Sequence, residues 1–118
     1  LCKNYDKSHQ SIYTKGSVYY LIKLKDIIVG IVHLCIYEDH KAVLNLIAIR
    51  KEYQLSGFGS LSIKKIEQLL FKKNKTLLYL NTAKGTESFY QKLDFIRTID
   101  KITSFFPDSI TLVKRLKR

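Results

Sequence analysis

The stretch "LNLIAIRKEYQLSGFGSLSIKKIEQLL", residues 44–70, changes its hydrophobic period part-way along, and that change decides the fold. Up to Ile49 it is apolar apart from Asn45, the pattern of a buried strand. From Ser56 onward Phe58, Ile63, Ile66 and Leu70 recur at helical spacing, while Lys64, Lys65, Glu67, Gln68, Lys72 and Lys73 take the opposite side. The pattern predicts a strand over 42–49 and a helix from 56 to about 74. Between them stand Gly57 and Gly59, flanked by Ser56 and Ser60. Such a turn has two readings. Small residues let a helix pack closely on a sheet. Alternatively, the first N–H groups of a helix lack intrahelical acceptors and lie at the positive end of its dipole, so glycines there leave an anion cradle open. Alone, the glycine pair favours packing, for it matches neither the GxxxxGK[ST] loop nor the GxGxxG fingerprint.

Working outward, residues 18–24 and 27–37 are rich in β-branched and aromatic side chains and are separated by Lys25 and Asp26, which reads as a hairpin. The polar group Glu38, Asp39, His40 and Lys41 makes a second turn, so three consecutive strands are antiparallel. Beyond the helix, 76–81 is a short strand, and strand–helix–strand suggests a right-handed crossover. Residues 86–93 read as a second helix, 95–99 as a further strand, and 109–116 as the closing strand. The order β-β-β-α-β-α-β-β predicts an α+β fold on a mixed, mostly antiparallel sheet. A ligand in such a sheet sits where strand pairing changes, at the carboxyl ends of strands. Here that is the end of 42–49, beside 54–59.

With 118 residues the chain supports one domain, 1–118, burying about two-thirds of its unfolded surface. A single proline and five glycines leave no room for a linker. The sequence starts at Leu1 and has no methionine, so an initiator residue is expected upstream. Cys2 and Cys35 are too few for a disulfide framework and are expected as free thiols of a reducing compartment. The longest apolar run, 26–37, is broken by Gly30 and His33 and is too short to cross a bilayer. With no signal sequence, the expected location is intracellular, cytoplasm or nucleus. No His, Cys, Asp or Glu spacing suits a metal, so none is expected. The charge of +11 calls for an anionic partner. Only Lys114, Arg115, Lys117 and Arg118 form a cluster, which puts nucleic acid behind a phosphate-bearing small ligand.

Residues 44–70 resemble the acetyl-CoA-binding core of the GNAT superfamily, the GCN5-related N-acetyltransferases. Gln54, Leu55, Ser56, Gly57, Phe58 and Gly59 fill its [QR]-x-x-G-x-[GA] signature, and Ile47, Ala48 and Ile49 fill the apolar-Ala-apolar triplet before it. A second block, "SFYQKLDF" (88–95), looks like the family's FY-x-K-x-GF segment. The resemblance covers about 18–95, and the closing strand loosely. It implies a GNAT-like sheet that splays open beside 42–49. The triplet backbone would pair with the pantetheine arm of acetyl-CoA, and the loop from Gln54 to Ser60 would hold the pyrophosphate by N–H groups. An acceptor amine, on a protein lysine, an N-terminus or a small molecule, would attack the thioester directly.

Tyr90 matches the family tyrosine that can protonate the leaving thiolate; without the resemblance it reads as a core aromatic. Some relatives carry a glutamate as base on the central strand, where this chain has Val43, so no base carries over. Asn45 shares that strand face and is the candidate to hold a water; its other reading is a polar group bonded to a neighbouring strand. His33, in an apolar strand, reads first as a core histidine. Asp94 replaces a glycine of the second block, and Ala83 stands where many members have asparagine, with Asn81 two residues earlier. The family's first strand and two early helices have no clear counterpart in 1–17, so they are absent or upstream. A non-catalytic acyl-CoA-binding module of the same fold is the alternative function.

Overall fold

In a computed structural model describing residues 16–99 and 109–117, the alternation along the first strand sets the two faces of the sheet. Strand β1, Ser17–Leu24, turns Tyr20 and Ile22 toward the main core and leaves Tyr19 and Leu21 exposed. Lys25, at φ 56°, reverses the chain into β2, Ile27–Ile36, and β3 follows as Lys41–Ile49. All three are antiparallel neighbours, as the hairpin reading requires. The turn between β2 and β3 is held by polar groups: Asp39 Oδ1 accepts the Lys41 N–H at 2.9 Å. The buried Lys75 ammonium donates to the Tyr37 and Asp39 carbonyls at 2.6 and 2.5 Å.

After β3 the chain makes a 3-10 turn, Lys51–Ser56, before helix α1, Phe58–Lys72. The helix thus begins two residues later than its periodicity predicts, because Gly57 takes the left-handed conformation (φ 79°) between the two elements. Asn74, also left-handed at φ 66°, ends α1. Its N–H bonds the Phe71 carbonyl (3.0 Å) and that of Lys75 bonds Leu70 (2.9 Å), a Schellman arrangement. Strand β4, Leu77–Thr82, then lies parallel to β3. A second 3-10 turn, Lys84–Thr86, leads into the short helix α2, Glu87–Gln91. Asp94 closes it at φ 74°, with Asp94 N–H to Gln91 (3.0 Å) and Phe95 N–H to Tyr90 (3.1 Å). Asp therefore serves where the resembling motif has glycine, at a terminus Asp tolerates. Strand β5 is only Ile96–Arg97, shorter than the predicted 95–99, and β6 is Ile110–Arg115.

The sheet order is β1-β2-β3-β4-β6-β5, with β3–β4 the parallel pair, and the element order is the one predicted. Ile63, Ile66 and Leu70 of α1 cover Val32, Leu34, Ala42, Leu44, Leu78, Leu80 and Leu112, and Phe95 closes the same core. Each of these buried Val, Leu, Ile and Phe side chains contributes about 1.5–3 kcal/mol relative to exposure. The opposite face holds a smaller cluster of Cys35, Tyr37, Val43 and Tyr79. Cys35 is disulfide-bonded, which corrects the expectation of free thiols; Cys2 lies outside the described residues. So do residues 1–15, on which the expectation about the family's early elements falls. Among the described residues no helix is long and apolar enough to cross a membrane.

Candidate active site

Strand β3 outlasts one of its partners. Its parallel pairing with β4 stops at Leu44 opposite Leu80, while pairing with β2 continues to Ile49 opposite Gly30. The sheet therefore forks after Leu44, and the β4-side edge of residues 45–49 faces the opening. At the fork the β2–β3 register slips between His33↔Leu46 and Leu34↔Leu44, so Asn45 is the extra residue of a bulge.

At the far end of this open edge the Gln54 side chain donates to the Ile49 carbonyl at 2.8 Å, tying the 3-10 turn to the strand. The first helical bond of α1 runs from Leu61 N–H to the Gly57 carbonyl at 3.1 Å. The N–H groups of Phe58, Gly59 and Ser60 are thus left without helical acceptors, and no side chain caps them. A cleft of about 240 Å³ lies here, lined by Ile47, Ile49, Gln54, Gly57, Gly59, Ser60 and Phe89. Six of these seven are sequence-predicted binding residues brought together by the fold. Ala48, between the two isoleucines, is exposed; Phe58 is half-buried with its ring edge-on to Tyr53; Leu55 and Ser56 contribute backbone to the 3-10 turn.

The two glycines divide the two readings between them. A Cβ on Gly57 would meet nothing within 4 Å, so its need is for positive φ, and the space above it is open. A Cβ on Gly59 would come within 3.3 Å of Phe89 Cζ and 3.7 Å of Ile49 Cδ1, so its need is for close packing. Phe89 is the wall that sequence reasoning left without a role; its place in the second motif, next to Tyr90, was the signal that could have found it.

Tyr90 does not line the cleft. Its half-buried ring stands edge-on to Phe89 (centroids 5.0 Å apart) and to Phe95 (5.9 Å), behind the wall. Burial pushes its phenol above the ordinary 10.0, so it carries its proton at neutral pH. Helix α2, which presents both aromatics, is pinned by Glu87, whose carboxylate accepts from Arg97 at 2.5 and 2.7 Å and from Gln91 at 2.9 Å. The Arg97 guanidinium holds the Glu87 carboxyl below its ordinary range. Ala83 is extended at the start of the second 3-10 turn, and Asn81 accepts from the Thr111 hydroxyl at 2.6 Å, which ties it to β6.

Asn45 is exposed at the fork, apart from the cleft. Its amide nitrogen lies 2.9 Å from His33 Nδ1, and His33 Nε2 lies 2.8 Å from the Ser17 hydroxyl. His33 is 2% exposed and stacks on Tyr19 at 4.2 Å. Burial lowers its pKa from 6.5, so the ring is neutral at pH 7. Val43 is buried in the second cluster, and no carboxylate takes its place.

Three free N–H groups at the positive end of α1, with no carboxylate in the lining, suit an anion such as phosphate. The apolar walls Ile47, Ile49 and Phe89, running beside an unpaired strand edge, suit an extended chain attached to it. Among the described residues no group of three His, Cys, Asp or Glu could hold a metal ion.

The sequence model of the acetyltransferase (GNAT) family matches residues 3–95. No curated protein matches the sequence. The structure is similar to a GNAT family acetyltransferase from Elizabethkingia anophelis with acetyl-CoA bound (TM-score 0.75, 21% identity, 97% of this chain and 86% of that one). It is also similar to the PaiA N-acetyltransferase from Thermoplasma acidophilum in complex with coenzyme A (0.72, 18%, 85% and 61%). A third likeness is to the ribosomal-protein-S18-alanine N-acetyltransferase from Escherichia coli (0.75, 16%, 95% and 77%). At these identities the likeness is one of fold.

Proposed function

Because the chain belongs to the acetyltransferase (GNAT) family, we propose that it moves an acetyl group from acetyl-CoA to a primary amine, on a protein lysine, an N-terminus or a small molecule. The observation that carries this reading is the unpaired edge of β3, which runs from the fork at Asn45 to the free N–H groups of α1. When bound, acetyl-CoA supplies the acetyl group as a thioester. The N–H groups of Phe58, Gly59 and Ser60, with the turn of Gln54, Leu55, Ser56 and Gly57, would hold the pyrophosphate, and the backbone of Ile47, Ala48 and Ile49, with Phe89 as wall, would receive the pantetheine arm.

The acceptor amine attacks the thioester carbon directly. The amine would add to the carbonyl carbon, forming the C–N bond before the C–S bond breaks, and Tyr90, protonated and packed behind Phe89, is the group that would return a proton to the departing sulfur. That proton is helpful rather than indispensable, since a thiol with pKa of about 8.5 leaves tolerably at neutral pH. A lysine ammonium, with pKa of about 10.4, must first lose a proton. With Val43 in place of a carboxylate, that proton would pass to water, and Asn45 hydrogen-bonds the neutral amine or holds the water. The chain acts as one domain, without a membrane or nucleic-acid partner.

The missing carboxylate also favours a second reading, a non-catalytic acyl-CoA-binding module. Thermal melting with acetyl-CoA tests both, because a ligand that binds only the native state must raise Tm. Stabilisation with thiol release on an amine and peptide panel supports transfer. Stabilisation without release on any acceptor supports the module, and no stabilisation defeats both.

A further inference from the structure

The contact between Asn45 and His33 joins two nitrogens, Nδ2 and Nδ1, at 2.9 Å. An amide nitrogen only donates, so Nδ1 must accept. A neutral imidazole carries one N–H, which then sits on Nε2 and points at the Ser17 hydroxyl, 2.8 Å away. The ring is further fixed by lying flat on Tyr19, at 6° between planes. With its NH2 turned in toward the ring, the exposed Asn45 amide has its Oδ1 turned out. Asn45 is also the first residue past the last β3–β4 pair, so this oxygen lies where the sheet opens.

We propose that His33 is a positioning residue for Asn45: its neutral ring holds the amide with Oδ1 over the fork as a hydrogen-bond acceptor for the incoming amine, and protonation of the ring reverses the amide. The amine's presence at the fork rests on the acetyl-transfer reading; the ring–amide arrangement does not. Protonation places a hydrogen on Nδ1. Nδ1–H and the amide NH2 would then be two donors facing each other, and the bond is restored only when the amide turns and offers Oδ1 inward. The NH2 then faces the fork, where it repels an N–H donor. Among the described residues the groups in contact with His33 are Ser17 and Tyr19 on β1 and Asn45 on β3, and none of their ion pairs includes it; the positive chain terminus adds a smaller push against the charged ring. Burial, which disfavours the charged ring, keeps the acceptor orientation in place at neutral pH.

Long-range 1H–15N spectra of the full chain, labelled in His and Asn and saturated with CoA, test the arrangement. The expected result is an Nε2–H tautomer at neutral pH, with Asn45 side-chain amide signals that move at the His33 midpoint. Asn45→Asp should raise that midpoint, because a carboxylate favours the charged ring. An Nδ1–H tautomer at neutral pH, or Asn45 signals that ignore the His33 titration, overturns the proposal. In thiol release from acetyl-CoA with n-butylamine as probe, His33→Gln should lower kcat roughly tenfold, the worth of one hydrogen bond, with KM for acetyl-CoA unchanged. It should also remove the acid-side fall at the His33 midpoint; a fall that persists there overturns the role. If His33→Gln fails to fold, Ser17→Ala keeps the ring and deletes its Nε2 partner. That variant should mix the tautomers and shift the acid limb, and an unmoved limb counts against the proposal. Failure of acetyl-CoA to raise Tm would defeat the acetyl-transfer reading and leave the spectra to decide the ring–amide pair.

Discussion

Residues 41–44 and 45–49 are successive halves of β3, yet the first is paired on both edges and the second on one. In the first half Ala42, Val43 and Leu44 are buried, Leu44 under α1 and Val43 in the opposite cluster. In the second, Asn45, Leu46 and Ala48 are exposed, and Ile47 and Ile49 wall a cleft. Nearly the same apolar composition thus builds a core in one place and an open edge in the other. The difference comes from β4, which follows β3 for four residues and then parts from it.

The contrast predicts that damage to the two halves shows up in different measurements. The largest effect should come from Leu44→Ala, which removes a buried side chain and leaves a cavity, costing about 2–5 kcal/mol in denaturant unfolding. Its rise in Tm with acetyl-CoA should persist. Gly57→Glu should do the reverse: charge and bulk at the free N–H groups should abolish a ligand stabilisation of about 2.7 kcal/mol at 100 times Kd. The ligand-free protein should lose about 1–2 kcal/mol from a side chain forced to positive φ. Equal losses of intrinsic stability in the two variants would break the contrast. Tyr90→Phe should slow thiol release roughly tenfold, about 1.4 kcal/mol of barrier, with acetyl-CoA binding retained. An unchanged rate would make Tyr90 a core aromatic only.

The smallest effect concerns the pin beneath α2. The Glu87 carboxyl has its pKa lowered by Arg97, so its contribution is fully present above the ordinary 4.5 and is lost as pH falls through the lower folded value. Glu87→Gln should therefore lower Tm slightly near neutrality and flatten the acid end of the profile of Tm against pH, with variant and parent converging as pH falls through the folded value of Glu87.

Much of this was legible in the chain. The period change near residue 50 gave strand then helix, and the polar pairs between apolar runs gave the hairpins, because both signals are local. Asp94 could be judged at a helix end for the same reason, since its tolerance of positive φ belongs to the residue. The start of α1 was misplaced because the 3-10 turn and the α-helix share apolar spacing, and only the conformation of Gly57 separates them. The length of β5 was overestimated because pairing partners, not β-propensity, limit it.

Within the candidate site, the order along the chain pointed to Gln54, Gly57, Gly59 and Ser60, which the fold brings to one cleft. Phe89 was not, since its role depends on a distance of 3.3 Å to a Cβ that Gly59 does not have. Nor could the sequence connect Ser17, His33 and Asn45, which lie on three strands and meet through the pairing of β2 with both its neighbours and the bulge at Asn45.

By itself, then, the sequence determined the elements, their order and the loop of free N–H groups, all set by interactions within a few residues. The tertiary structure decided where β3 loses its neighbour, which glycine packs and which leaves space, and which side chains look into the fork. Those depend on strand register and on contacts between residues far apart in the chain, which no local pattern encodes.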